Sequence, residues 1–178
     1  MQARILNTPP LSGTIDEIQY DAIGNCTWVE FSTLSNVWVG IFGKGKIAEN
    51  RNAVTLFNNE KNAFVIAGGQ GYVINLEMRS LVYKTSDDYL QYVIAVPEKD
   101  LVLACDHTNL MLYNSERKIW ESDRIALDGI KLTESFSTKV LGYIWQIDGW
   151  YSFILDVDKK EIINQKFLSG EWDFLENE

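Results

Sequence analysis

Few residues in this chain are equipped for chemistry: one histidine (His107), two cysteines (Cys26 and Cys105), six tryptophans, and aspartates in polar, turn-like stretches. His107 lies in the run Cys105-Asp106-His107-Thr108-Asn109. A serine or cysteine hydrolase needs an imidazole beside a nucleophile, with a third group to orient it. The chain has no G-x-S-x-G elbow, and Cys105 closes an apolar run. The stretch therefore reads as a tight turn in which Asp and Asn side chains satisfy backbone groups. A zinc site takes three or four N or S ligands, more than one histidine and two distant cysteines supply. Asp156-Val157-Asp158 opens like a calcium loop but lacks its glycine and closing bidentate glutamate. No metal and no cofactor is expected.

The stretch VWVGIFGKGKIAEN (37–50) places Gly40 ahead of Gly45-Lys46, close to the phosphate-loop pattern G-x-x-x-x-G-K-[S/T]. Such a loop joins a strand to a helix and uses the Ser or Thr to hold Mg²⁺. Here Ile47 stands at that position and the following residues are short and polar. The reading is a hairpin turn. Gly68-Gly69-Gln70-Gly71 likewise lies between two strand-like runs, with no helix to complete a dinucleotide fingerprint.

Asp87, Asp88, Asp106, Asp123, Asp128 and Asp148 all fall near expected turns. Two carboxylates roughly 5–9.5 Å apart across a cleft hydrolyse glycosides, so an enzyme built on these acids is one reading. Trp28, Trp38, Trp120 and Trp145 lie inside strand patterns, where aromatic rings fill cores. Trp150 and Trp172 lie at turns and are expected at the surface, in contact with a partner. Asp148, Glu171, Asp173 and Glu176 flank them and complete a candidate partner-binding set, with no catalytic residue assigned.

The elements that position these residues are short. The chain has 178 residues, 46% apolar and 23% charged, with few prolines, as expected of a single globular domain spanning 1–178. Its net charge of −9 disfavours nucleic acid and anionic lipid, and favours a basic protein partner. Two cysteines make no disulfide framework and read as buried thiols. The N-terminus has no apolar signal core and no run is long enough to span a bilayer, so a cytoplasmic protein is expected.

Runs such as AVTLF, AFVIAG, YVINLE, YVIAV and LVLACD alternate with turn clusters such as NNEKN, GGQG and PEKD. That pattern predicts an all-β fold of short antiparallel strands. Four hairpin-like segments superpose, at 37–50, 72–85, 110–122 and 151–165, with starts 35, 38 and 41 residues apart. Units of about 40 residues with four strands are the blades of a propeller. The segment 53–122 resembles the WD-repeat and quinoprotein-type propellers, without the Gly-His and Trp-Asp pairs of WD repeats. The resemblance implies a small or partial β-propeller of about four blades, with a β-sandwich as the alternative. An open half-ring, or a homodimer completing a larger ring, fits the same count. The C-terminal stretch 169–178 is expected to close the ring against an N-terminal strand or to face a basic partner.

In size, acidity and all-β pattern the chain also resembles bacterial immunity proteins that neutralise basic toxins such as nucleases. The expected function is a non-catalytic protein-binding module of that kind. The alternative is a carbohydrate-active or other carboxylate-dependent enzyme.

Overall fold

The computed structural model describes residues 1–11, 13–33, 36–47 and 51–172. Among the described residues sixteen strands form four sheets of four. The first holds β1 (Gln2–Leu6), β2 (Asp16–Tyr20), β3 (Cys26–Ser32) and β4 (Val37–Gly43), in the order β1-β3-β4-β2. The second runs β5 (Ala53–Leu56), β6 (Asn62–Ala67), β7 (Gln70–Asn75), β8 (Ser80–Lys84). The third runs β9 (Tyr92–Val96), β10 (Leu101–Cys105), β11 (Leu110–Tyr113), β12 (Lys118–Glu121). The fourth runs β13 (Ile130–Phe136), β14 (Lys139–Gln146), β15 (Gly149–Asp156), β16 (Glu161–Ser169). Sheets two to four are antiparallel meanders, each strand paired with its successor.

Strands β1, β5, β9 and β13 stand side by side, so the sheets fan out from one edge like propeller blades. Three apolar cores fill the wedges between successive sheets. No core joins the fourth sheet to the first among the described residues, and the fan stays open. The all-β expectation holds, with four blade-like units. No helix among the described residues is long and apolar enough to cross a membrane.

The first sheet departs from the expected hairpin repeat. The other three superposed segments are β7–β8, β11–β12 and β15–β16, the third and fourth strands of their sheets. The segment from Val37 contains β4 but no following partner strand. Its outer neighbour is β2, which precedes it in sequence and runs parallel to it. Because β1 is also parallel to β4 through β3, residues 7–15 must return the length of a strand while crossing from one edge of the sheet to the other. Val39, which alternates outward from inward-facing Trp38, is fully buried.

Residues 43–47 are thus a link between sheets, which corrects the hairpin-turn expectation. The N–H groups of Gly45, Lys46 and Ile47 are bound to the carbonyls of Ala67, Asp88 and Gly68. These are the groups a phosphate would need. Gly40 serves packing: a Cβ there would come within 2.6 Å of the Phe42 ring and 3.2 Å of Phe31.

The thiols differ from one another. Cys105 is fully buried in the core between sheets three and four, and burial pushes its pKa up. Cys26 is only half-buried, contrary to expectation, because it begins a strand beside the exposed turn at Gly24, whose carbonyl lies 3.4 Å from its Sγ.

Candidate functional site

Strand topology places all six turn aspartates at one end of the fan. Asp87 and Asp88 lie between β8 and β9, and Asp106 follows β10. Asp123 and Asp128 lie between β12 and β13, and Asp148 joins β14 to β15. Consecutive strands of a meander turn at alternate ends, and these connections share an end. Most of the acids are already engaged. Asp87 accepts hydrogen bonds from Tyr113 Oη at 3.0 Å and Lys118 Nζ at 3.1 Å. Asp88 pairs with Lys46 at 3.0 Å. Asp106 caps its own turn, accepting from the N–H of Thr108 at 2.6 Å and of Asn109 at 2.7 Å. Asp128 lies 3.1 Å from His107 Nδ1, and Asp148 accepts from Tyr151 Oη at 2.9 Å.

His107 and Cys105 are neighbours in sequence but not in function. The thiol lies in the core, 3.8 Å from the carbonyl of Ile130, while the imidazole is about half exposed beside Asp128. Among the described residues no group of three His, Cys, Asp or Glu side chains is arranged to hold a metal.

Four members of the candidate partner-binding set meet at this end. Residues 169–172 fold back along the β14–β15 turn, with Gly149 packed against Ser169 and Gly170. This brings Asp148, Trp150, Glu171 and Trp172 to one corner. Residues 170–172 therefore follow their own sheet and do not run to an N-terminal strand. Asp173 and Glu176 lie outside the described residues.

The tryptophans there form a cluster. Ring centroids lie 5.4 Å apart for Trp145–Trp150, 4.8 Å for Trp145–Trp172 and 5.6 Å for Trp150–Trp172. Trp150 Nε1 donates to the Trp172 carbonyl at 2.9 Å. Trp172 is exposed as expected, at 52%, but Trp150 is only 6% exposed. Its place after the turn suggested the surface, yet the other two indoles cover it. Gly129 makes room for the cluster: it holds φ at +128°, and a Cβ there would stand 3.2 Å from the Trp150 ring.

Beside the cluster lies a cavity of about 350 Å³, lined by Trp150, Trp172, Tyr92, Arg51, Asp128 and Gln91, among others. Arg51 donates to Tyr92 Oη at 3.3 Å, with its guanidinium 5.8 Å from the ring centre. Gln91 is 7% exposed and lines the cavity. Its backbone N–H is held by Cys105, which fixes where the side chain enters. Gln91 and Arg51 carried no signal of their own, since each becomes part of a cleft only when the sheets stand side by side.

No protein-family model matches the chain, and no curated protein matches it in sequence. Solved structures do match. A hydrazine synthase from Kuenenia stuttgartiensis superposes with a TM-score of 0.50 at 11% identity, covering 65% of this chain and 35% of that one. A KlHsv2 variant with loop 6CD replaced by a Gly-Ser linker gives 0.50 at 16%, covering 82% and 49%. A structure described as the eukaryotic initiation factor gives 0.50 at 12%, covering 93% and 42%. The matched part is less than half of each of those chains. At these identities the likeness is one of fold alone.

Proposed function

We propose that the chain is a non-catalytic protein-binding module that recognises a basic protein through the end of the fan carrying the turn acids. The immunity-type reading, capture of a basic toxin such as a nuclease, is the specific form of this proposal. One observation carries it: the turn aspartates share one end, and most are engaged there with lysine, tyrosine, histidine or backbone groups. Asp87 and Asp88 share their charge with lysines, whereas Asp148, bound to the Tyr151 hydroxyl, adds negative charge to the corner of the exposed Trp172. General acid–base work instead asks for an opposed pair with separated proton affinities. An acidic surface attracts a basic partner over long range and raises association rates by about 10–10³-fold at low salt.

The test uses the tagged protein and a triple variant, Asp128→Asn, Asp148→Asn and Glu171→Gln, in capture from a host lysate at about 50 and 500 mM salt, either side of strong screening. The expected outcome is one basic protein retained by the wild type at low salt and released at high salt. Its association with the triple variant should be at least about tenfold slower. Equal capture by the variant would remove this end of the fan from recognition.

A further inference from the structure

The cavity beside the tryptophan cluster gathers charged and aromatic residues that are far apart in sequence: Arg51 ahead of β5, Tyr92 on β9, His107, Asp128, Lys131 on β13, and Trp172. They meet because β5, β9 and β13 stand side by side. Asp128, the one carboxylate of the described lining, faces His107 Nδ1 at 3.1 Å. Arg51 has no carboxylate partner among the described residues. Its guanidinium donates to Tyr92 Oη at 3.3 Å and lies 5.8 Å from that ring's centre, which leaves most of its N–H groups for a ligand. Such a group matches a carboxylate with two parallel hydrogen bonds and also stacks on aromatic rings. Trp172, half exposed, adds an indole surface to the same lining, and Lys131 adds a second cation. The volume, about 350 Å³, is at the small end of ligand pockets, which run from about 300 to 1,000 Å³.

We propose that this cavity is a binding site for a small aromatic carboxylate, with its carboxylate on Arg51 and its ring against Trp172. The chain's net charge of −9 opposes any anion. Attraction grows as charges approach, however, and exposed charges more than about 8 Å apart are largely screened at physiological salt. A cation in direct contact therefore outweighs distant acids. A neutral ring would leave the guanidinium unused, and an aliphatic carboxylate would leave the indole unused. A phosphate dianion carries twice the charge into an acidic chain. The site rests on its own lining and is independent of the protein-binding reading.

The experiment is an NMR titration of the ¹⁵N-labelled full chain at neutral pH. It is read at the indole N–H signal of Trp150, which lines the cavity and donates to the Trp172 carbonyl, and is assigned by its loss in Trp150→Phe. The probes are benzoate, phenylacetate and indole-3-acetate, with phenylacetamide, acetate and inorganic phosphate for comparison. Concentrations reach about 10 mM, enough to fill a millimolar site. At least one aromatic carboxylate should move the signal saturably, and none of the comparison compounds should. Arg51→Gln should weaken binding at least about tenfold with the Tm unchanged, because the residue is exposed. Arg51→Lys keeps the charge but loses the fork, and should still bind more weakly than the wild type. Trp172→Leu should weaken binding at least about twofold. The proposal is overturned if no aromatic carboxylate saturates, or if phenylacetamide, acetate or phosphate binds as tightly. It is also overturned if Arg51→Gln or Trp172→Leu binds like the wild type.

Discussion

The wedge between the first and second sheets and the wedge between the third and fourth are built from the same β material in opposite ways. The first is aromatic: Tyr20 stacks on Phe42 at 4.9 Å, Phe31 on Trp38 at 4.5 Å, and Tyr72 packs against Phe42 at 5.3 Å. The third is aliphatic, with Leu103, Leu110, Leu112, Val140, Ile144 and Leu155 around a single fully buried ring, Phe153. Its large indoles stand at the strand ends, where Trp145 and Trp150 pair across the last rungs of β14 and β15. The rings of the first wedge are covered by the neighbouring sheet, whereas Trp145 and Trp150 are packed by Trp172, with Trp150 and Trp172 lining a cleft. What faces a ring, more than residue type or place along the strand, separates core from cleft lining.

The contrast can be broken most forcefully at Phe42, which is fully buried and touches three other rings. Phe42→Ala should cost about 3–5 kcal/mol in urea unfolding, while the emission of the distant tryptophan cluster in the folded state stays unchanged. Alkali probes the same wedge. Burial pushes the phenols of Tyr20 and Tyr72 up to about 12, from an ordinary value of about 10. Below pH 10 both states hold these protons and the contribution is intact. Between about pH 10 and 12 only the unfolded chain releases them, so stability falls by up to about 1.4 kcal/mol per pH unit for each. Urea midpoints measured from about pH 9 to 12 should fall with that onset, and Tyr20→Phe should lessen the slope. The smallest effect belongs to the other end. Gly129→Ala should cost about 1–3 kcal/mol through its backbone strain, and should alter near-ultraviolet tryptophan dichroism by pressing on Trp150.

Much of the fold was legible in the sequence because three of the sheets are meanders, in which period-two alternation and turn residues are local signals. The first sheet was misread because β2 is a parallel edge strand, and nothing in DEIQY announces that it will pair with VWVGIFG. Trp172 and the turn acids were legible as candidates, but their gathering at one end follows from the parity of strand reversals. Trp150 was misplaced because its burial depends on Trp172, which lies more than twenty residues further along. Gln91 was invisible: an amide between Leu90 and Tyr92 becomes part of a cleft only when the sheets stand side by side.

The parallel strand in the first sheet also has a kinetic consequence. In sheets two to four each strand meets its partner across a short turn, so pairing closes small loops. In the first sheet Gln2 must find Ser32, and β2 must be threaded to the far edge before β4 can be flanked. Loop-closure entropy and sequence separation both slow such contacts. The meanders should therefore assemble early and the first sheet last, laying its aromatic face onto a second sheet that is already formed.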